Sequence, residues 1–192
     1  MGRIITSLVP MKLPEQNGLV IWLLGLSGAG KSTLANLLAQ RLTAEGFLTL
    51  KLDGDEMRKG LNRDLGFSDE DRSENIRRAA ETAKLLSANG IITICSFITP
   101  LAIHQQIAKA ILDPFYFEVF IDCPLSICQQ RDVKGLYKLA NQNTIKNFTG
   151  IGSGFEKPAQ PNLVLSTATY NQQQCLDTLY TAIIDKITGP RN

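Results

Sequence analysis

"GLVIWLLGLSGAGKSTLANLL", residues 18–38, opens as a continuous apolar run, breaks into small residues around a lysine, and resumes with helical spacing. Continuous rather than alternating apolar residues read as a strand buried on both faces. At the seam, "GLSGAGKS" from Gly25 to Ser32 fits G-x-x-x-x-G-K-[ST] with a strand before it and a helix after it. Glycines let the backbone curl so that successive N–H groups form a nest for phosphate oxygens. The following helix adds its unpaired N–H groups and the positive end of its dipole. Lys31 then neutralises β- and γ-phosphates, and the Ser32 hydroxyl ligates Mg²⁺. Four constrained positions match by chance in a chain of this size roughly one time in a hundred. Gly25, Leu26, Ser27, Gly28, Ala29, Gly30, Lys31, Ser32 and Thr33 are the candidate nucleotide-phosphate loop.

Outward from this seam the pattern alternates. Strand-like runs appear at 19–25, 48–53, 91–97, 115–122 and 162–166, with helix-period segments at 31–46, 71–89, 101–112, 125–130 and 171–187. Strands joined by helical crossovers give a three-layer α/β fold with a mainly parallel sheet. In such sheets ligands bind beyond the carboxyl ends of the strands, so chemically active residues should follow strands. The expected organisation is a leader over 1–17, one domain over 18–187 and a short tail over 188–192.

The totals exclude several classes. A net charge of +2 over 192 residues gives no large basic surface for nucleic acid. No apolar run is long enough for a membrane span. The four cysteines, Cys95, Cys123, Cys128 and Cys175, show no C-x-x-C spacing and read as buried, reduced side chains of a cytoplasmic protein. The single histidine, His104, has no metal-binding neighbour and reads as a surface residue. Residues 131–156 fit neither period and hold basic, glycine and aromatic residues, which reads as a functional lid.

A phosphate loop alone does not separate kinases from switches. "LKLDGDEMR" places Asp53 and Asp55 just past the second strand, where one carboxylate serves a metal and the other a proton from an attacking hydroxyl. Arg58, Arg72, Asn75, Arg77 and Arg78 form a basic cluster that fits either a second anionic ligand or i,i+4 ion pairs on a solvated face. Phe67 and Phe148 sit in glycine-containing loops, as clamps for a flat base or as local hydrophobic plugs. Spacing leaves both questions open.

The blocks "WLLGLSGAGKST", "LDGDEMRKGLNRDLGFSDEDRSENIRR", "FEVFIDCPLSICQQRDVKGLYKLA" and "NFTGIG" resemble the adenylyl-sulfate kinases, in that family's order, from about residue 18 to 156. The resemblance implies a P-loop kinase fold and transfer of the ATP γ-phosphate to the 3′-hydroxyl of adenylyl sulfate, usually by a homodimer. It implies Lys31, Asp53 and Asp55 as catalytic residues, with Ser32 and Asp53 near Mg²⁺. It implies Arg131 beside ATP. Arg58, Phe67, Arg72, Asn75, Ile98, Thr99, Lys134, Asn147 and Phe148 would then hold the second substrate together with Asp55. Two positions depart from the family pattern: Thr99 stands where "FISP" has serine, and Gly152 where "FTGID" has aspartate.

Two rival classes remain in view. A gluconate- or shikimate-type kinase of the same fold would have no use for paired loop phenylalanines. A GTPase-like sensor would want an N-K-x-D run, which the sequence lacks.

Overall fold

The computed structural model describes residues 15–133, 135–142 and 148–190. Five strands, β1 (Leu19–Leu24), β2 (Thr49–Asp53), β3 (Ile92–Phe97), β4 (Tyr116–Asp122) and β5 (Leu163–Ser166), pair in parallel in the order β2-β3-β1-β4-β5. Seven helices accompany them among the described residues: α1 (Lys31–Ala44), α2 (Gly54–Lys59), α3 (Asp69–Ala88), α4 (Ala102–Leu112), α5 (Leu125–Arg131), α6 (Leu136–Asn141) and α7 (Gln172–Thr188). Leu24 pairs with both Phe97 of β3 and Phe120 of β4, so the loops leaving the central strands open at one edge.

β1 shows why its run is unbroken. Leu19, Ile21 and Leu23 enter one core with residues of α1 and α7, while Val20, Trp22 and Leu24 enter the other with residues of α3 and α4. Each such buried side chain contributes about 1.5–3 kcal/mol, so a polar residue anywhere in β1 has a large cost. The two-faced burial expected from sequence holds for β1 and β3 throughout and for the interior of β4. It does not hold at the edges, where Leu50 of β2 and Val164 of β5 face solvent. Edge strands have a neighbour strand on one side only, which leaves these side chains open to solvent.

The elements fall close to their expected bounds, with instructive exceptions. α3 begins at Asp69, because Ser68 Oγ accepts the Asp71 N–H at 3.1 Å and caps the helix. α2 and α6 were not legible from periodicity, since six residues give less than two turns. α6 lies inside the expected lid and starts where the Asp132 carboxylate accepts the Tyr137 and Lys138 N–H groups. Gln16 and Asn17, assigned by sequence to the leader, are tied to the domain. The Gln16 side chain bonds Leu48 and Gly90, and the Asn17 N–H bonds the Ile187 carbonyl. Residues 1–14 lie outside the described residues.

His104 is not a surface residue but fully buried. The reason is visible in α4, where His104, Ala108 and Leu112 recur every four residues along the inward face. Its Nδ1 accepts the Leu101 N–H at 3.4 Å. All four cysteines are buried and free. No described helix is long and apolar enough to cross a membrane.

Candidate active site

The loop after β1 is shaped by glycine. Gly28 has φ 76°, and a Cβ there would stand 2.8 Å from the Cys128 carbonyl oxygen. Gly30, with φ 106°, occupies the N-cap position of α1. Both conformations are rarely open to other residues. Lys31 is buried against this loop, its Nζ donating to the carbonyls of Gly25 at 2.9 Å and Leu26 at 2.8 Å. The charge is thus held over the nest without reaching into solvent.

Beside it, Ser32 Oγ donates to Asp53 Oδ2 at 2.9 Å and lies 3.4 Å from Ser96 Oγ. Asp53 serves twice, because its Oδ1 accepts the Asp55 N–H at 3.0 Å and caps α2. That cap sets Asp55 at the cavity wall. A hydroxyl and a carboxylate meeting at the loop's end are the hard oxygen donors that magnesium takes alongside phosphate oxygens and water. The described residues hold no cluster of three or more histidine, cysteine or acidic groups that would suit a more fully caged metal.

A single cavity of about 740 Å³ joins this loop to the far side of the sheet edge. Arg58, Phe67, Arg72, Asn75, Ile98 and Thr99 line its far half. Arg58 and Arg72 flank the exposed Phe67 ring at 4.5 and 5.7 Å from its centroid. Burial pulls both guanidinium pKa values below the usual range, and for Arg72 the Arg58 charge pushes further the same way. Two partly desolvated like charges beside one aromatic ring make this part of the cavity suited to an anion.

The structure therefore divides the basic cluster that spacing left open. Arg77 and Arg78 pair with Glu74, and Arg78 also pairs with Asp64, on the helix surface. Glu74 is held down to about 2 by hydrogen bonds from those two arginines. Arg58 and Arg72 line the cavity, Arg58 donating to the Leu65 and Gly66 carbonyls and Arg72 to the Phe67 carbonyl. The loop aromatics divide too. Phe67 stands open in the cavity, whereas Phe148 is a buried part of its lining and packs T-shaped on Tyr137 at 5.0 Å.

Thr99 follows β3 in a left-handed conformation, φ 49°, which is costly for a β-branched residue. Its Oγ1 accepts the Trp22 Nε1–H at 2.9 Å, a bond buried within the core. On the phosphate-loop side, Arg131 donates to the Thr167 carbonyl at 2.7 Å and to its hydroxyl at 3.2 Å. Thr167 in turn donates to the Ala29 carbonyl at 2.7 Å, tying the loop after β5 to the phosphate loop. Gly152 lies in a turn where the N–H groups of residues 151, 152 and 153 converge on the Phe148 carbonyl. Lys134 and Asn147 lie outside the described residues.

The family model for adenylylsulphate kinase matches residues 17–166. The chain belongs to that family. An adenylyl-sulfate kinase of Clostridium acetobutylicum is 49% identical over 168 residues, covering 88% of this chain and 84% of that one. The structure of the Mycobacterium tuberculosis APS kinase CysC in complex with AMPPNP and APS superposes with TM-score 0.81 at 41% identity, covering 85% of this chain and 96% of the other. A hexameric APS kinase from Thiobacillus denitrificans aligns at 26% identity and TM-score 0.69, covering 92% of this chain and 30% of that chain.

Within this adenylylsulphate kinase fold, sequence reasoning missed Ser96, Thr167, Tyr137 and Asn62. Thr167 directly follows a strand, so the rule that active residues follow strands was the available signal. Ser96 is the polar residue in an otherwise apolar end of β3. Tyr137 donates its hydroxyl to the Ser27 carbonyl at 2.9 Å, a contact across 110 residues that no local pattern encodes.

Proposed function

We propose that this protein is an adenylyl-sulfate kinase that transfers the ATP γ-phosphate to the 3′-hydroxyl of adenylyl sulfate, giving 3′-phosphoadenylyl sulfate and ADP. The observation that carries the reading is the single cavity itself. It joins a phosphate loop to a half lined by arginines and aromatics, with Asp53 and Asp55 at the junction. Gly25 to Thr33 and Arg131 hold ATP, and Lys31 meets its β- and γ-phosphates. Ser32 and Asp53 would hold Mg²⁺, which would supply neutralisation of phosphate charge there.

Arg58, Arg72 and Asn75 bind the phosphosulfate of the acceptor. Phe67 and Phe148 face its adenine, Ile98 and Thr99 border it, and Lys134 and Asn147 complete the set of acceptor-binding residues. Asp55 orients the 3′-hydroxyl and takes its proton as that oxygen attacks the γ-phosphorus. The bond from phosphorus to the bridging oxygen breaks, and ADP leaves carrying the electron pair. Such a transfer requires positioning and charge neutralisation more than covalent help. Closure of residues 131–156 over the reactants would keep water from the γ-phosphate. The enzyme acts as a homodimer in the cytoplasm, where ATP is supplied; the family resemblance supports the dimer, and light scattering tests it.

The test is product identification. With ATP and Mg²⁺, adenylyl sulfate should yield a product phosphorylated on the 3′-oxygen, while gluconate and shikimate yield none. Phosphorylation of either alcohol in preference to adenylyl sulfate would replace this reading with that of a small-metabolite kinase.

A further inference from the structure

Asn62 sits in the turn between α2 and α3 and is wholly buried. Its backbone holds it there. The Asn62 N–H donates to the Met57 carbonyl at 2.8 Å, and the Leu65 N–H returns to the Asn62 carbonyl at 3.1 Å. Arg78 fastens the same turn through the Leu61 carbonyl and the Asp64 carboxylate. From this fixed place Asn62 Nδ2 donates to Asn75 Oδ1 at 2.8 Å, also buried. Asn62 Oδ1 meets no hydrogen-bond partner.

The arrangement has a direction. Turning both amides over would keep one hydrogen bond but bury the Asn62 NH₂ with its two donors facing that pocket. The observed sense leaves the Asn62 oxygen unpartnered in place of a second N–H, and an under-satisfied carbonyl oxygen is the more readily tolerated of the two. With its oxygen turned to Asn62, Asn75 presents its NH₂ on the other side of the amide. Asn75 lines the cavity three residues after Arg72, on the same face of α3.

We infer that Asn62 is a positioning residue: it locks the Asn75 amide so that the NH₂ group, beside Arg72, donates to an anionic oxygen of the acceptor substrate. This rests on the reading of Asn75 as a substrate-binding residue. An unlocked amide would spend part of its time presenting oxygen to that anion, and a reversed one would present it always.

The test is a double-mutant cycle read as KM for each substrate. Asn62→Asp is nearly isosteric but offers only acceptors, so it should turn the Asn75 amide round. It is expected to raise KM for adenylyl sulfate about tenfold, the value of one hydrogen bond to a charged group, with KM for ATP unchanged. In an Asn75→Ala background the same substitution should add nothing. If Asn62→Asp does not fold, Asn62→Leu runs the same cycle. Its expected rise is about threefold, since it frees the amide without reversing it, and it too should vanish without Asn75.

Effects that multiply across the two positions would overturn the inference, as would an unchanged KM in Asn62→Asp and Asn62→Leu while Asn75→Ala raises it. An unchanged KM for adenylyl sulfate in Asn75→Ala would instead remove the reading of Asn75, and the inference with it.

Discussion

Ser32 Oγ and Asp53 Oδ2 meet at 2.9 Å, joining the first turn of α1 to the end of β2. The two residues are 21 positions apart, and the hydrogen bond forms because β1 and β2 leave the sheet at one edge. Asp53 also caps α2 through the Asp55 N–H, so a single carboxylate both faces the phosphate loop and places the neighbouring acid.

Those two duties of Asp53 are separable. Asparagine is an N-cap residue as good as aspartate but carries no charge. Asp53→Asn should therefore retain the melting temperature while lowering turnover on the order of a hundredfold, and should raise the Mg²⁺ concentration needed for half-maximal rate. Magnesium titrations beside thermal melts check it. A fall in stability with an unchanged magnesium requirement would make Asp53 a cap alone.

Thr99 pairs a costly backbone with a buried hydrogen bond. Thr99→Val keeps the shape but leaves the Trp22 N–H without its acceptor, which should cost about 1–3 kcal/mol. That corresponds to roughly 2–4 °C in melting temperature per kcal/mol for a protein of this size. Thr99→Ser keeps the acceptor and removes the β-branch, so it should be at least as stable as the parent. Trp22 is the single tryptophan, and its fluorescence follows unfolding in all three proteins.

His104 sets an acid limit on stability. Burial lowers its pKa from the usual 6.5 and the nearby Arg72 charge lowers it further, while the Asp69 carbonyl and the Asp69 and Glu156 charges oppose the shift. The folded state therefore refuses a proton that the unfolded chain accepts. Stability from this group is complete above about pH 6.5 and declines as the pH falls below it, by at most about 1.4 kcal/mol per unit. In His104→Gln, which retains an acceptor for the Leu101 N–H, the dependence between pH 6.5 and 5 should flatten. Denaturant titrations across that window measure it, and equal slopes in the two proteins would remove His104 as the cause.

Much of this architecture was legible because its signals are local. The run before Gly25, the glycines and Lys31 specify strand, nest and helix within a few residues, and the structure places them so. Asp53, Asp55, Arg58, Arg72 and Thr99 follow strands or open helices, and all of them reach the cavity. What stayed hidden depends on contacts between distant segments. Neither the Tyr137 bond to Ser27 nor the Thr167 bond to Ala29 has a sequence period. The role of Phe148 was undecided for the same reason, since its packing on Tyr137 is a tertiary contact with no local period. His104 differs, because its apolar neighbours at i+4 and i+8 were present and the polarity of histidine outweighed them.

In the proposed reaction Asp55 activates the 3′-hydroxyl of adenylyl sulfate toward ATP. ADP release measured with ATP, Mg²⁺ and adenylyl sulfate, in the parent and in Asp55→Ala, tests it most directly. Release should require adenylyl sulfate and should fall at least on the order of a hundredfold in the variant, the scale of a lost general base. Release that proceeds without adenylyl sulfate, or that survives Asp55→Ala undiminished, would contradict it.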